Sequence, residues 1–151
     1  MRITNLPICV AACLISSHAY SADNDPRCFA QASARYAIPV PLLKAISHNE
    51  SGGNARAVHR NKNGTEDIGH MQINSAWLPR LAKYGIDRKN LFDPCLNTQV
   101  GAWVLANNFA NLGYNWKAVD AYNTSSPKPI SNYTMKVSKI IQMQSTKGYT
   151  N

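Results

Sequence analysis

Residues 45–54 read AISHNESGGN, and the glutamate within them is one of two in a chain of 151 residues. The apolar residues ahead of it, Leu42, Leu43 and Ile46, have helical spacing, and Glu50 extends their row at i+4 from Ile46. A carboxylate removed from water without a partner is costly, so a glutamate on such a row is unusual. Ser51, Gly52 and Gly53 then end the predicted helix. If the row packs into a core and Glu50 stands where it meets a cleft, partial desolvation raises the carboxyl pKa. An acid still protonated near neutral pH can hand its proton to a leaving oxygen. The competing readings are a glutamate on a solvated helix end, or one paired with Lys44 or Arg56.

The surrounding chain has the size of one domain with a real core. At 44% hydrophobic and 16% charged it reads as globular rather than disordered. Its start reads differently. Arg2 precedes an apolar run at 6–15, LPICVAACLI, too short to span a bilayer as a helix, and small residues follow. This is the pattern of a secretory signal peptide over residues 1–19, with cleavage expected after Ala19 and at 21 or 22 as alternatives. An uncleaved anchor is the competing reading. Removal would take Cys9 and Cys13 and leave Cys28 and Cys95, which in an oxidising compartment pair in one way only. Two unpaired buried thiols are the alternative. The domain is expected over 23–144, with a flexible tail at 145–151.

The formal charge is +8, or +7 once Arg2 is lost, which favours acidic polymers in general. The basic residues are scattered, with no zinc-finger spacing and no aromatic–basic stripe. Charge therefore points to an anionic partner without choosing one.

Along the chain, a first helix is predicted from Arg27 or Cys28 to about Ala37, and a second from Pro41 to about Glu50. Asn63-Gly64 is a hairpin turn signal between short, ragged strands. Asn74 or Ser75 caps a helix ending near Gly85, and Asp93-Pro94 opens the longest helix, stopped by Gly113. A short helix at about 117–121 and a final one carrying Ile130, Tyr133, Val137, Ile140 and Ile141 complete a mostly helical α+β fold. Trp77, Tyr84 and Trp103 also fall at helical spacing and are read as packing.

Three elements stand in order: Glu50-Ser51, then GHMQIN at 69–74, then AYN at 121–123. With NGTEDIG and LFDPCLN beside them, the stretch from Cys28 to Asn123 resembles the bacterial lytic transglycosylases of the goose-lysozyme-like superfamily. It is most similar to small secreted members associated with secretion systems, conjugation and pili. The resemblance implies a lysozyme-like domain with a small β-hairpin after the helix that carries the catalytic glutamate. It implies that Glu50 acts first as acid, on the β-1,4 bond between N-acetylmuramic acid and N-acetylglucosamine. Glu50 then acts as base, on the C6 hydroxyl of the same muramic residue, which closes a 1,6-anhydro ring. One carboxyl suffices, since nucleophile and leaving group belong to one bound sugar.

Other roles follow from the same resemblance. Asp67, in the D-x-G lead into MQIN, either steadies the charge that develops at the anomeric carbon or braces the hairpin. Ser51, Met71, Gln72, Asn74, Tyr122 and Asn123 are the expected substrate-binding residues. The Tyr122 hydroxyl could orient the glutamate, or the ring could lie in the core. His70 departs from the family, which has an apolar residue there, so its side chain points outward or adds a titrating group near the cleft. Thr124-Ser125-Ser126-Pro127 replaces a stretch where relatives carry an early glycine, which affects the groove rather than Glu50.

No cofactor and no metal are expected. The implied partners are peptidoglycan strands and proteins of a secretion, conjugation or pilus machine. Nucleic acid and stable membrane insertion after cleavage are not expected, and the protein is read as a periplasmic monomer. Two alternatives remain at this point: a lysozyme-type hydrolase using a positioned water, and a catalytically idle wall-binding assembly protein.

Overall fold

The computed structural model describes residues 26–147. The expected leader and its cleavage site, and the last four residues of the expected tail, lie outside them. Among the described residues no helix is long and apolar enough to cross a membrane.

Helix α1, Pro26–Tyr36, buries Cys28, Phe29 and Ala32 along one face. Helix α2, Val40–Ser51, starts with Pro41 in its first turn, where the missing N–H costs nothing. It buries Leu42, Leu43, Ala45, Ile46 and Ser47. The apolar row thus does pack inward, and its last member is Glu50.

The β region holds three antiparallel strands, one more than the expected hairpin. They are β1 (Val58–Arg60), β2 (Glu66–Ile68) and β3 (Ile73–Asn74), in the order β1-β2-β3. Asp67 pairs with His59 on one side and with Asn74 on the other, which puts it on the central strand. The predicted helix after Asn74 is present but broken into a 3-10 turn (Ser75–Trp77), helix α3 (Leu78–Leu81) and a second 3-10 turn (Ala82–Tyr84). Pro79 explains the first break. It has no N–H to offer the Ser75 carbonyl, which instead accepts from the Leu78 N–H in the tighter i→i+3 pattern.

After a further 3-10 turn, Asn90–Phe92, Asp93 accepts from the Leu96 N–H at 2.7 Å and opens α4, Pro94–Leu112. This helix is the spine of the molecule, with Asn97, Thr98, Val100, Gly101, Ala102, Val104 and Leu105 all buried. Helix α1 packs along α4, and α2 packs along the last helix, α6 (Asn132–Lys147), with α5 (Trp116–Asp120) between. Helix α6 runs three residues into the stretch expected to be tail. Its start is fixed by a reciprocal pair: Ser131 N–H to Thr134 Oγ1 at 2.9 Å and Thr134 N–H to Ser131 Oγ at 3.1 Å.

A disulfide joins Cys28 in α1 to Cys95 in the first turn of α4, across 67 residues, with a Cα–Cα distance of 5.0 Å. The paired reading of the two cysteines therefore holds. Closing a loop of this length stabilises by about 4 kcal/mol in the chain-entropy view.

Candidate active site

The end of α2, the three-stranded sheet with the turn after it, Val104 in the middle of α4 and the loop after α5 surround a groove of about 810 Å3. Glu50, Asp67, Gln72, Asn74, Tyr122 and Asn123 all line it. Segments separated by more than seventy residues thus meet around one carboxyl.

Glu50 is part-buried, and its pKa is raised to about 7. Burial is the main cause, and the nearby negative charge of Asp67 adds to it. One contact acts the other way: Tyr133, in the first turn of α6, donates its hydroxyl proton to Glu50 Oε1 at 2.7 Å. With Oε1 engaged, Oε2 is the oxygen left to carry a proton into the groove. Tyr133 is itself buried, and its own pKa is pushed up, first by burial and then by Glu50.

Tyr133 was missed as a site residue in the sequence, where it falls in a row with Ile130 and Val137 and reads as packing. The available signal was a phenol on an otherwise aliphatic row, since a buried hydroxyl needs a partner. The expectation that Tyr122 orients the glutamate is corrected. Its hydroxyl donates instead to the Met71 carbonyl at 2.8 Å, and its ring forms a groove wall.

Asp67 faces the groove from the central strand. Its Oδ2 accepts from Asn61 Nδ2 at 2.9 Å and its Oδ1 from Asn74 Nδ2 at 2.7 Å. Asn61 also caps the hairpin, bonding Thr65 through side chain and backbone. The amides that brace the strand thus hold the carboxylate at the groove wall. Glu66, the next residue back, turns away to Arg88 at 2.8 Å and Arg60 at 3.4 Å, and Arg88 holds its carboxyl below the usual range.

The 69–74 turn is built from within. Gly69 has φ +76°, and a Cβ there would lie 2.3 Å from Asn97 Nδ2 and 2.7 Å from the Leu91 carbonyl, so only glycine fits. Asn97 is buried and fully used: Oδ1 accepts from the Met71 N–H at 2.8 Å, and Nδ2 donates to the carbonyls of Ile68 and Leu91. Gln72 adopts φ +50°, a conformation that costs a non-glycine residue about 1–2 kcal/mol. Its amide donates to the Gly69 carbonyl at 2.8 Å, which holds the side chain at the groove wall.

Three expectations change here. Met71 is fully buried and packs against Gly101, so its side chain is core and offers no substrate contact. Ser51 donates to the His70 carbonyl at 2.9 Å, tying α2 to the turn rather than touching Glu50. His70 neither points outward nor enters the cleft. It is buried against Phe29, with Nδ1 2.7 Å from Ser47 Oγ and Nε2 3.0 Å from the Pro94 carbonyl, and so joins α1, α2 and α4.

The far wall is set by Asp120. Its carboxylate accepts from the Lys128 N–H at 2.8 Å and from the Ser131 hydroxyl, which folds the loop of residues 121–131 and fixes the start of α6. That loop presents Asn123, Thr124 and Ser125 to the groove. The segment that departs from the expected pattern therefore still forms a polar wall. Asp120 acts through this loop on Tyr133, and so on Glu50.

The Transglycosylase SLT domain family matches residues 27–138, which hold every groove residue described above. Among curated proteins, the chain is 44% identical to the invasion protein IagB of Salmonella typhimurium over 103 residues, 67% of this chain and 64% of that protein. It is also 44% identical to protein IpgF of Shigella flexneri, covering 67% of this chain and 68% of that one. Identity to the X polypeptide of Escherichia coli is 40% over 102 residues, 60% of its length. The matched region thus spans a little under two thirds of the first of these relatives. On the extent of the family match and on these identities, the chain belongs to the transglycosylase SLT domain family.

Proposed function

We propose that the protein is a lytic transglycosylase that cuts the β-1,4 bond between N-acetylmuramic acid and N-acetylglucosamine in peptidoglycan. The observation that carries this reading is the raised pKa of Glu50, about 7, on a carboxyl that lines a groove with one oxygen held by Tyr133. Near neutral pH a large share of Glu50 is the neutral acid, which is the form the first step requires.

In that step Glu50 Oε2 gives its proton to the glycosidic oxygen, and the bond from that oxygen to the muramic C1 breaks. The leaving N-acetylglucosamine departs as a neutral alcohol. Positive charge builds at C1, and the Asp67 carboxylate facing the groove favours it electrostatically. Glu50, now anionic, takes the proton of the muramic C6 hydroxyl as O6 bonds to C1. The 1,6-anhydro ring closes and Glu50 regains its proton, so no water is consumed.

A neutral acid in a part-buried site needs no counter-ion, whereas the carboxylate formed midway is stabilised by the Tyr133 hydroxyl. The same hydroxyl that moderates the pKa thus supports the ionised intermediate state of Glu50.

The cell location and partners that fit this reading are a periplasmic site of action and an envelope-spanning apparatus around which the wall is opened locally. The support is the family and the name of a relative, an invasion protein. A hydrolytic muramidase is the alternative that Asp67 keeps open, because two facing carboxyls can also place a water. The test of catalysis is release of soluble fragments from purified sacculi. Wild type should solubilise them and Glu50→Gln should not. Equal release by both would remove Glu50 from the chemistry, and binding without release by wild type would favour an idle wall-binding protein.

A further inference from the structure

The groove has a neighbour. Trp77 lines the groove and lies edge-on to Trp103, with ring centroids 5.3 Å apart. On the other side of this pair, Trp103 lines a second cavity of about 350 Å3. The Arg80 guanidinium bridges the two rings, 4.7 Å from the Trp103 centroid and 6.0 Å from that of Trp77. A ridge of two indoles and one cation therefore separates the catalytic groove from a second hollow.

That hollow has the composition of a sugar site. Tyr36, Tyr84 and Trp103 supply three aromatic faces, and Tyr84 is 73% exposed although it is a large ring at the end of a short helix. Arg35 stands beside Tyr36, its guanidinium 5.6 Å from the ring centroid, and no acidic side chain lines the cavity. Gln99 also lines it, and its buried Oε1 has no hydrogen-bond partner among the described residues. An unpaired buried amide oxygen is costly, and turning the Gln99 amide into the cavity, to meet a ligand hydroxyl or N-acetyl N–H, would relieve that cost. Apolar walls with a few polar groups, rather than a wholly apolar lining, are the pattern of a small-ligand site.

We propose that this cavity is an accessory saccharide site that holds a distal sugar of the same glycan strand whose scissile bond lies at Glu50. The apolar faces of a pyranose would stack on Tyr84 and Trp103. The N-acetyl group would meet Gln99, and Arg35 and Arg80 would attract the carboxylates carried by an anionic glycan. Continuity over the Trp77–Trp103 ridge is what ties the site to the groove rather than to an unrelated partner. The role is to raise the effective concentration of long strands at the groove, so it selects for chain length. This inference rests on the proposed glycan-cleaving function.

The test uses Tyr84→Ala, at an exposed position outside the groove, with two substrates: long purified glycan strands and a tetrasaccharide too short to span the ridge. KM on long strands should rise about 10-fold, equivalent to about 1.4 kcal/mol, while KM on the tetrasaccharide serves as the internal reference. In Glu50→Gln protein, long strands should also shift the indole N–H signal of Trp103 in two-dimensional NMR, and the tetrasaccharide should not. An unchanged KM on long strands, or a silent Trp103 while Trp77 shifts, overturns the accessory site and leaves the proposed function intact. If wild type cleaves neither substrate, the proposed function fails first. If Trp103 responds to a protein ligand and to no glycan, the cavity is a docking site of another class and the inference is wrong.

Discussion

The Tyr133 hydroxyl stands 2.7 Å from Glu50 Oε1, joining the first turn of α6 to the last turn of α2 across 83 residues of sequence. Burial raises the glutamate pKa, and this hydrogen bond restrains the rise. Tyr133→Phe keeps the ring in the core and deletes only the hydroxyl. The pKa governing loss of activity at high pH should then move upward from about 7, and kcat should fall by about 10-fold or more. A pH–rate profile of the variant against wild type measures both.

Glu50 also makes stability depend on pH. Its folded pKa, about 7, lies above the ordinary 4.5, so the folded state binds the proton more tightly than the unfolded one. The associated stability is fully present below pH 4.5 and is lost as pH rises through about 7. Glu50→Gln removes this dependence. The variant should match wild type near pH 4 and exceed it above pH 8, by on the order of 3 kcal/mol at most. Urea unfolding of both proteins across that range reads the difference directly.

Asn97 holds the 69–74 turn through bonds to Met71, Ile68 and Leu91. Asn97→Ala removes the side-chain partner of three buried backbone groups and should destabilise by about 3 kcal/mol. Asn97→Asp keeps the acceptor for Met71 but turns a second oxygen toward two carbonyls. It should be destabilised most at high pH and partly recover as the carboxyl is protonated. Denaturant midpoints at two pH values separate the variants.

Gly101 is a point of close approach between α4 and the residues behind the groove, Met71 and Tyr122. An added Cβ would lie 2.8 Å from Met71 Cε and 3.0 Å from the Tyr122 hydroxyl. Gly101→Ala should cost about 1–3 kcal/mol and displace Tyr122 from the Met71 carbonyl, lowering activity beyond the loss of stability. Thermal unfolding and sacculus digestion on the same preparation distinguish the two effects.

Much of this was legible in the sequence because it is local. The apolar row of α2, the Asn63-Gly64 turn and the Asp93-Pro94 cap each depend on neighbouring residues, and each is found as expected. Glu50, Asp67, Gln72, Asn74, Tyr122 and Asn123 are readable from the three ordered sequence elements and the D-x-G lead into the second, and they share one groove. What stayed hidden depends on tertiary contact. No spacing rule tells which of two tyrosines reaches a glutamate, and Tyr133 was chosen over Tyr122 by the way α6 crosses α2. Met71 and His70 sit beside the groove in sequence but are both turned inward, Met71 against Gly101 of α4 and His70 against Phe29 and Ser47. The third strand, of only two residues, carries too little pattern to be read at all.

The central claim is that Glu50 serves as acid and then as base on one sugar, with no water entering the reaction. Digesting sacculi in water enriched in oxygen-18 and analysing the fragments by mass spectrometry tests it most directly. The account predicts 1,6-anhydromuramic ends without label from wild type, and none from Glu50→Gln. Labelled reducing ends, with no anhydro product, would contradict it and make the protein a hydrolase.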